Sequence, residues 1–192
     1  MQPVASALNE PRCAPAPLAR LGAARRRADV VVVMGVCGCG KSTVGQQLAT
    51  ARGVEFVEGD LFHPAENVAR MAAGIALTDT DRQGWLAALA DRLAAARGAG
   101  RGLVRSCSAL KRSYRDMLRR GAPELLFVHL PGSRELLAAR MADRPGHYMP
   151  ASLLDGQLAI LEATGPDENA LTFDVAQAPE SIVAALMAVP EA

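Results

Sequence analysis

The eight residues Gly35-Val36-Cys37-Gly38-Cys39-Gly40-Lys41-Ser42 fit the spacing G-x-x-x-x-G-K-[ST] at every fixed position. Each residue type has a chemical reason to be there. The glycines let the backbone curl so that successive N–H groups point inward. Together with the positive end of a following helix they form a nest for phosphate oxygens. Lys41 adds a positive charge for the terminal phosphates, and the Ser42 hydroxyl suits a Mg²⁺ ion held by those phosphates. Thr43 continues the first turn. The bland alternative is a glycine-rich turn with a chance lysine, but a hydrophobic strand before the loop and a helix after it favour nucleotide binding. A second chemically suggestive residue is Asp60, just past the next strand. Ligands of open parallel sheets bind outside that edge. A carboxylate there can accept a proton from an attacking hydroxyl, or simply cap the loop, and its position alone leaves both open.

The elements that must hold these residues follow from the pattern of apolar side chains. Val30 to Met34 is an unbroken apolar run, which suits a strand buried on both faces. Lys41 to Arg52 reads as a helix, and Val54 to Val57 as a second strand. His63-Pro64 opens a helix that Gly74 closes. Thr78 to Asp81 caps a longer helix, on which Trp85, Leu89 and Leu93 recur on one face as core residues. Leu103 to Cys107 is a third strand, interrupted by Arg105. A basic helix spans Lys111 to Arg120, ended by Gly121. Leu125 to Leu130 is a fourth strand, and Ser133 to Arg144 a helix stopped by Pro145-Gly146. A helix over about 151–163, a strand over Leu171 to Val175 and a helix over Pro179 to Ala188 complete the chain. Strands alternate with helices throughout, so the expected fold is a single-domain α/β protein: a parallel sheet with helices on both faces.

Composition narrows the function classes. The chain has 192 residues, enough for one domain with a sizeable core. Half are hydrophobic but only 4% aromatic, so the core must rest on Ala, Val, Leu and Met. A net charge of +1 gives no reason to expect nucleic acid or an anionic membrane as partner. No apolar run approaches the roughly 18 residues that span a bilayer. Cys13, Cys37, Cys39 and Cys107 do not form a disulfide framework, which points to a reducing cytoplasm. Residues 1–28, rich in proline and alanine and carrying Arg25-Arg26-Arg27, lack the order of a signal peptide. They read as a flexible tail, with the nucleotide-binding domain over 29–192.

Four further motifs occur in order: Glu58-Gly59-Asp60-Leu61-Phe62-His63-Pro64-Ala65-Glu66-Asn67, Leu77 to Arg82 before Trp85-Leu86, Cys107-Ser108-Ala109-Leu110-Lys111 leading into Tyr114-Arg115-Asp116, and Arg144-Pro145-Gly146-His147-Tyr148-Met149 before the helix containing Gln157. Together with the glycine-rich loop they closely resemble the gluconokinases, over residues 30 to about 187. The resemblance implies a nucleoside-monophosphate-kinase-like fold with a five-stranded parallel sheet and a mobile lid at about 145–150. It also implies transfer of phosphate from ATP, with Mg²⁺, to the 6-hydroxyl of D-gluconate, and permits a homodimer. The sequence departs from the family pattern at several points. Cys37 and Cys39 stand where serines are usual, Arg70 where lysine is, Ala76 and Gly84 where prolines are, and Leu158 where phenylalanine is. These bear on affinity more than on reaction type.

On this resemblance Asp60 becomes the general base or a member of the Mg²⁺ shell. Lys41 and Arg144 stabilise the transferring group. Gluconate needs cations for its carboxylate and short polar groups for its hydroxyls. Arg70, Lys111 and Arg115 are the candidate cations, with His63, Ser108 and His147 as further contacts. Lys111 and Arg115 are four apart and share a helix face; taken singly, such charges are a solvated face, and the motifs around them favour a substrate role. Arg140 is assigned to adenine and Arg144 to the phosphates, with the turn before Pro179 facing adenine from the other side; ordinary helix-terminal cations are the alternative. Asp79 and Asp81 either cap the Trp85 helix or reach a water around Mg²⁺. Cys37 and Cys39 lie beside backbone N–H groups at a helix start, a setting that favours reactive thiolates, though small residues replacing serine without consequence explain them equally.

Overall fold

Five consecutive apolar residues, Val30–Met34, form strand β1, and all five are buried. A strand with no polar face must be covered on both sides, so β1 lies in the middle of the sheet. The computed structural model, which describes residues 30–143 and 151–189, places it there. The strand order is β2-β3-β1-β4-β5, with β2 at Glu55–Val57, β3 at Leu103–Cys107, β4 at Leu126–His129 and β5 at Ala170–Thr172. All four pairings are parallel. Val32 lies opposite Arg105 on one side and Phe127 on the other.

Alternation along β1 builds two cores. Val31 and Val33 pack with Val44 and Leu48 of helix α1 (Lys41–Arg52) and with Ile182 and Leu186 of α7 (Pro179–Met187). Val30, Val32 and Met34 pack on the opposite face with Trp85, Leu89 and Leu93 of α3 (Asp79–Gly98) and Leu118 of α4 (Arg112–Gly121). Each such side chain contributes about 1.5–3 kcal/mol by burial. The remaining helices are α2 (Ala65–Ala72), α5 (Arg134–Ala142) and α6 (Ala151–Ile160). Thr78 caps α3 as expected. Its side chain accepts from the Asp81 N–H, and Asp81 answers by accepting from the Thr78 N–H at 2.8 Å. Parallel crossovers return each helix antiparallel to the strands. The starts of α1, α3 and α4 therefore gather at the carboxyl edge of the sheet, where ligands of such sheets bind.

Several details differ from the sequence expectation. Strand β5 stops at Thr172 rather than Val175, though Val175 still donates its N–H to the Pro131 carbonyl at 2.9 Å. Helix α6 stops at Ile160 rather than 163, because the Glu162 N–H leaves the helix to donate to the Leu110 carbonyl at 2.8 Å. Arg105 does not interrupt β3. It is wholly buried within the strand, its guanidinium stacked 4.2 Å from the centroid of the Phe62 ring and donating to the Leu89 carbonyl. Burial lowers it to about 10. The expected lid and residues 1–28 lie outside the described residues.

Candidate active site

The glycine-rich loop leaves β1 and enters α1 as the motif requires. Gly35 has φ 144°, and a Cβ there would meet the Leu130 carbonyl oxygen at 2.9 Å, so only glycine fits beside the end of β4. Its N–H donates to the Ser108 carbonyl, which ties the loop to the segment after β3. The Lys41 ammonium donates to the Val36 carbonyl at 2.8 Å and lies 3.9 Å from the Cys39 sulfur. Burial works to lower its pKa, but Cys39, Asp60, Cys37 and Glu58 together outweigh that and hold it above the usual value. Lys41 is thus a firm cation. Ser42 is half-buried in the first turn of α1, and Thr43 beside it is exposed.

Asp60 reaches the same place from β2. It sits in a short 3₁₀ turn, Gly59–Phe62, pinned from two sides. The Gly59 N–H donates to Ser106 Oγ at 3.0 Å, and Ser106 bonds Glu58 in turn. The Gly59 carbonyl accepts from Trp85 Nε1 at 2.9 Å. A Cβ on Gly59 would lie 2.1 Å from the Ser106 carbonyl oxygen, so the turn presses on the end of β3 as only glycine can. The exposed Asp60 carboxylate is close enough to raise both Lys41 and His63 electrostatically. His63 stacks on the Trp85 ring with centroids 4.2 Å apart. Burial lowers its pKa, so the imidazole is neutral at neutral pH.

The expected substrate cations divide sharply. Lys111 is the residue before α4 rather than within it, and its ammonium bonds both Asp79 oxygens at 2.8 Å. Arg70 lies 3.6 Å from Asp81. Both therefore line the space between α2, the start of α3 and the start of α4. Arg115 does not. It is 0% exposed, bonds Glu168 through Nε at 2.6 Å and Nη2 at 2.9 Å, and donates to the carbonyls of Ala109, Leu110, Glu162 and Ala163. Its donors are spent on the protein, so no ligand carboxylate can share it, and its place among the substrate contacts is corrected to a structural one. The shared helix face with Lys111 is also lost, because one side chain turns to Asp79 and the other to Glu168. Ser108 contributes its carbonyl to Gly35 and lies half-buried beside Lys111's loop.

Sequence reasoning passed over two residues. Gln157 of α6 accepts from the Cys37 N–H at 2.8 Å, placing an amide oxygen where the loop's nest would receive a phosphate oxygen. Arg82, one turn into α3, is buried at 6% exposure. Its guanidinium stands 5.8 Å from the Tyr114 ring centroid, and no hydrogen bond or ion pair to it occurs among the described residues. The signals for Arg82 were its place at the end of the Leu77 to Arg82 motif and in the stripe that continues through Trp85, Leu89 and Leu93.

Arg140 donates to the Val175 carbonyl at 2.8 Å, which joins the end of α5 to the turn leading to Pro179, the first residue of α7. The two parts expected around adenine are thus neighbours. Arg144 and His147 lie outside the described residues. The expectation of reactive thiolates fails at Cys37: burial, the largest influence, pushes its thiol up despite Lys41. Among the described residues no group of three His, Cys, Asp or Glu side chains could cage a metal.

A family model described as "AAA domain" matches residues 30–164. The chain is 48% identical to the gluconokinase of Gluconobacter oxydans (strain 621H), over 82% of this chain and 88% of that protein. It is 38% identical to the thermoresistant gluconokinase of Escherichia coli (strain K12), over 83% of this chain and 92% of that protein. A crystal structure of a gluconokinase from Sinorhizobium meliloti 1021 superposes with a TM-score of 0.77 at 51% identity, covering 85% of this chain and 92% of that one. With the loop, the Asp60 turn and the sheet order in place, the chain belongs to the gluconokinase family.

Proposed function

We propose that this chain transfers the terminal phosphoryl group of ATP to the 6-hydroxyl of D-gluconate, giving ADP and 6-phospho-D-gluconate. The observation that carries this reading is the Asp60 turn set beside Lys41 in a chain 48% identical to a gluconokinase. The backbone of Gly35 to Ser42 and the Lys41 ammonium hold the phosphates. The Ser42 hydroxyl would hold a Mg²⁺ ion, which when bound would supply charge neutralisation to the phosphates. Asp60 takes the proton from the attacking hydroxyl. His63, neutral and braced on Trp85, offers a hydrogen bond to the sugar chain, as does Ser108. Lys111 and Arg70, both set around the same space, face the bound polyol. Arg140 and the turn before Pro179 border the adenine. The family resemblance assigns Arg144 to the phosphates and His147 to the substrate. The buried free cysteines Cys37, Cys39 and Cys107 fit a reducing cytoplasm.

The test is product formation from ATP across D-gluconate, shikimate and AMP. Turnover of gluconate at least about 10²-fold above the others in kcat/KM supports the reading, a margin typical of a site that hydrogen-bonds its own substrate. Turnover of shikimate or AMP with none of gluconate overturns it.

A further inference from the structure

Two buried arginines in this protein are used in opposite ways. Arg115 has its guanidinium saturated by a carboxylate and four carbonyls. Arg82 is almost as buried, yet among the described residues it makes no hydrogen bond: it stands by the face of the Tyr114 ring and acts on Asp79 and Asp81 only through space. A buried guanidinium without a hydrogen-bonded partner is costly, because its charge has left water for nothing that replaces it. Arg105 also has unpartnered nitrogens, but it lies in mid-strand under the Phe62 ring with no exposure, out of reach of a ligand. Arg82 is placed differently. It begins the buried stripe of α3 at the helix end that meets the carboxyl edge of the sheet, between the His63 turn and the start of α4.

The charges around it count in the same direction. Lys111 is matched by Asp79 and Arg70 by Asp81. Asp60 belongs to the Lys41 side of the site. Asp79 and Asp81 both feel the Arg82 charge, but their oxygens are bonded by Lys111, Tyr114 and Thr78, so among the described residues the Arg82 donors stay unbonded beside a neutral imidazole. A guanidinium with planar paired donors left unbonded complements one carboxylate. We propose that Arg82 is the substrate-specificity residue that grips the carboxylate of the sugar acid, the role the sequence had suggested for Arg115. This rests on the gluconate reading and deepens it. Asp79 and Asp81 then act as positioning residues: they hold Lys111 and Arg70 and leave the acid end of the substrate to Arg82.

The test compares D-gluconate with D-gluconamide, which has the same hydroxyls and a neutral end. In the full chain, Arg82→Met should raise KM for gluconate about 10²-fold, the loss expected when one partner of a buried charge pair is removed. KM for ATP and turnover of gluconamide should change less than about 3-fold, so the preference for the acid collapses; a merely structural arginine would affect both substrates alike. Arg82→Lys, which keeps the charge and loses the paired geometry, should fall between, with a rise of about 10-fold. An unchanged ratio of gluconate to gluconamide in Arg82→Met overturns the assignment. If that variant fails to fold by circular dichroism, the lysine variant decides, and an unchanged gluconate KM there overturns it. Wild-type enzyme that turns over neither compound sinks the gluconate reading itself, and the Arg82 assignment with it. An active wild type with an unchanged ratio sinks Arg82 alone.

Discussion

Lys41 and Asp60 come from different strands and meet at one edge of the sheet. The first is held by the loop after β1, the second by a turn that Ser106 and Trp85 pin to β3 and α3. A carboxylate fixed beside the phosphate-binding lysine is where a proton must leave when a hydroxyl attacks. Asp60→Asn should therefore lower kcat by about 10²–10⁴, the usual worth of a positioned general base. The side chain is exposed and supports no packing, so the melting temperature should stay within a degree or two of wild type. Near-normal kcat in that variant would remove Asp60 from the chemistry. Both residues were legible in the sequence because their signals are local: a fixed spacing for Lys41, and a strand end for Asp60. The choice between Arg82 and Arg115 was not. Arg115's partner Glu168 lies 53 residues along the chain, and only the fold shows that the Arg115 donors are spent on the protein. Cys37 misled for the same reason. Its neighbours in sequence favour a thiolate, whereas its neighbours in space bury it.

At the scale of elements, the segment from Ala109 to Lys111 depends on a brace far from the chemistry. Ala109 has φ 43°, a left-handed conformation disfavoured for alanine, and is fully buried. Arg115 holds its carbonyl and that of Leu110 while bonding Glu168, which also accepts from Arg119 and from the Gly165 N–H. This cluster joins α4 to the connection between α6 and β5. Removing Glu168 leaves Arg115 charged and buried, so Glu168→Ala should lose about 3–5 kcal/mol in urea unfolding. The pH dependence follows from the same contact. Arg115 first, with Gly165 and Arg119, holds the Glu168 carboxyl down to about 2 against an ordinary 4.5. Between those values the unfolded chain binds the proton and the folded one does not. The contribution is complete above about pH 4.5 and is lost as pH falls towards 2. Over that window wild-type stability should drop more steeply than that of Glu168→Ala; parallel curves would show that the pair is not coupled to folding. The elements themselves were readable from apolar runs and caps, as Thr78 and Asp81 illustrate. Their ends were less so, because the α6 and β5 ends are set by partners such as the Leu110 and Pro131 carbonyls, distant in sequence.

The whole molecule is one parallel sheet whose two apolar faces are covered and whose carboxyl edge carries the site. Among the described residues β1 begins at Val30 and both cores are built from Val30 onward, and the sequence reads residues 1–28 as a flexible tail. Deleting residues 1–28 should leave kcat and both KM values within about 2-fold, a change under roughly 0.5 kcal/mol. A loss of turnover in folded truncated protein would assign that segment a part in the site. The plan was legible from alternating strands and helices around an unbroken Val30–Met34 run, while the strand order needed the pairings themselves. The central claim is that the edge transfers phosphate to one end of a linear sugar acid. Phosphorus NMR of the product from ATP, Mg²⁺ and D-gluconate tests it most directly. Phosphate on the carbon-6 hydroxyl couples to the two protons on carbon 6 and gives a triplet, which is the expected signal and should build up about 10²–10⁴-fold more slowly with Asp60→Asn. A doublet from a secondary hydroxyl, or inorganic phosphate with no ester, would contradict it.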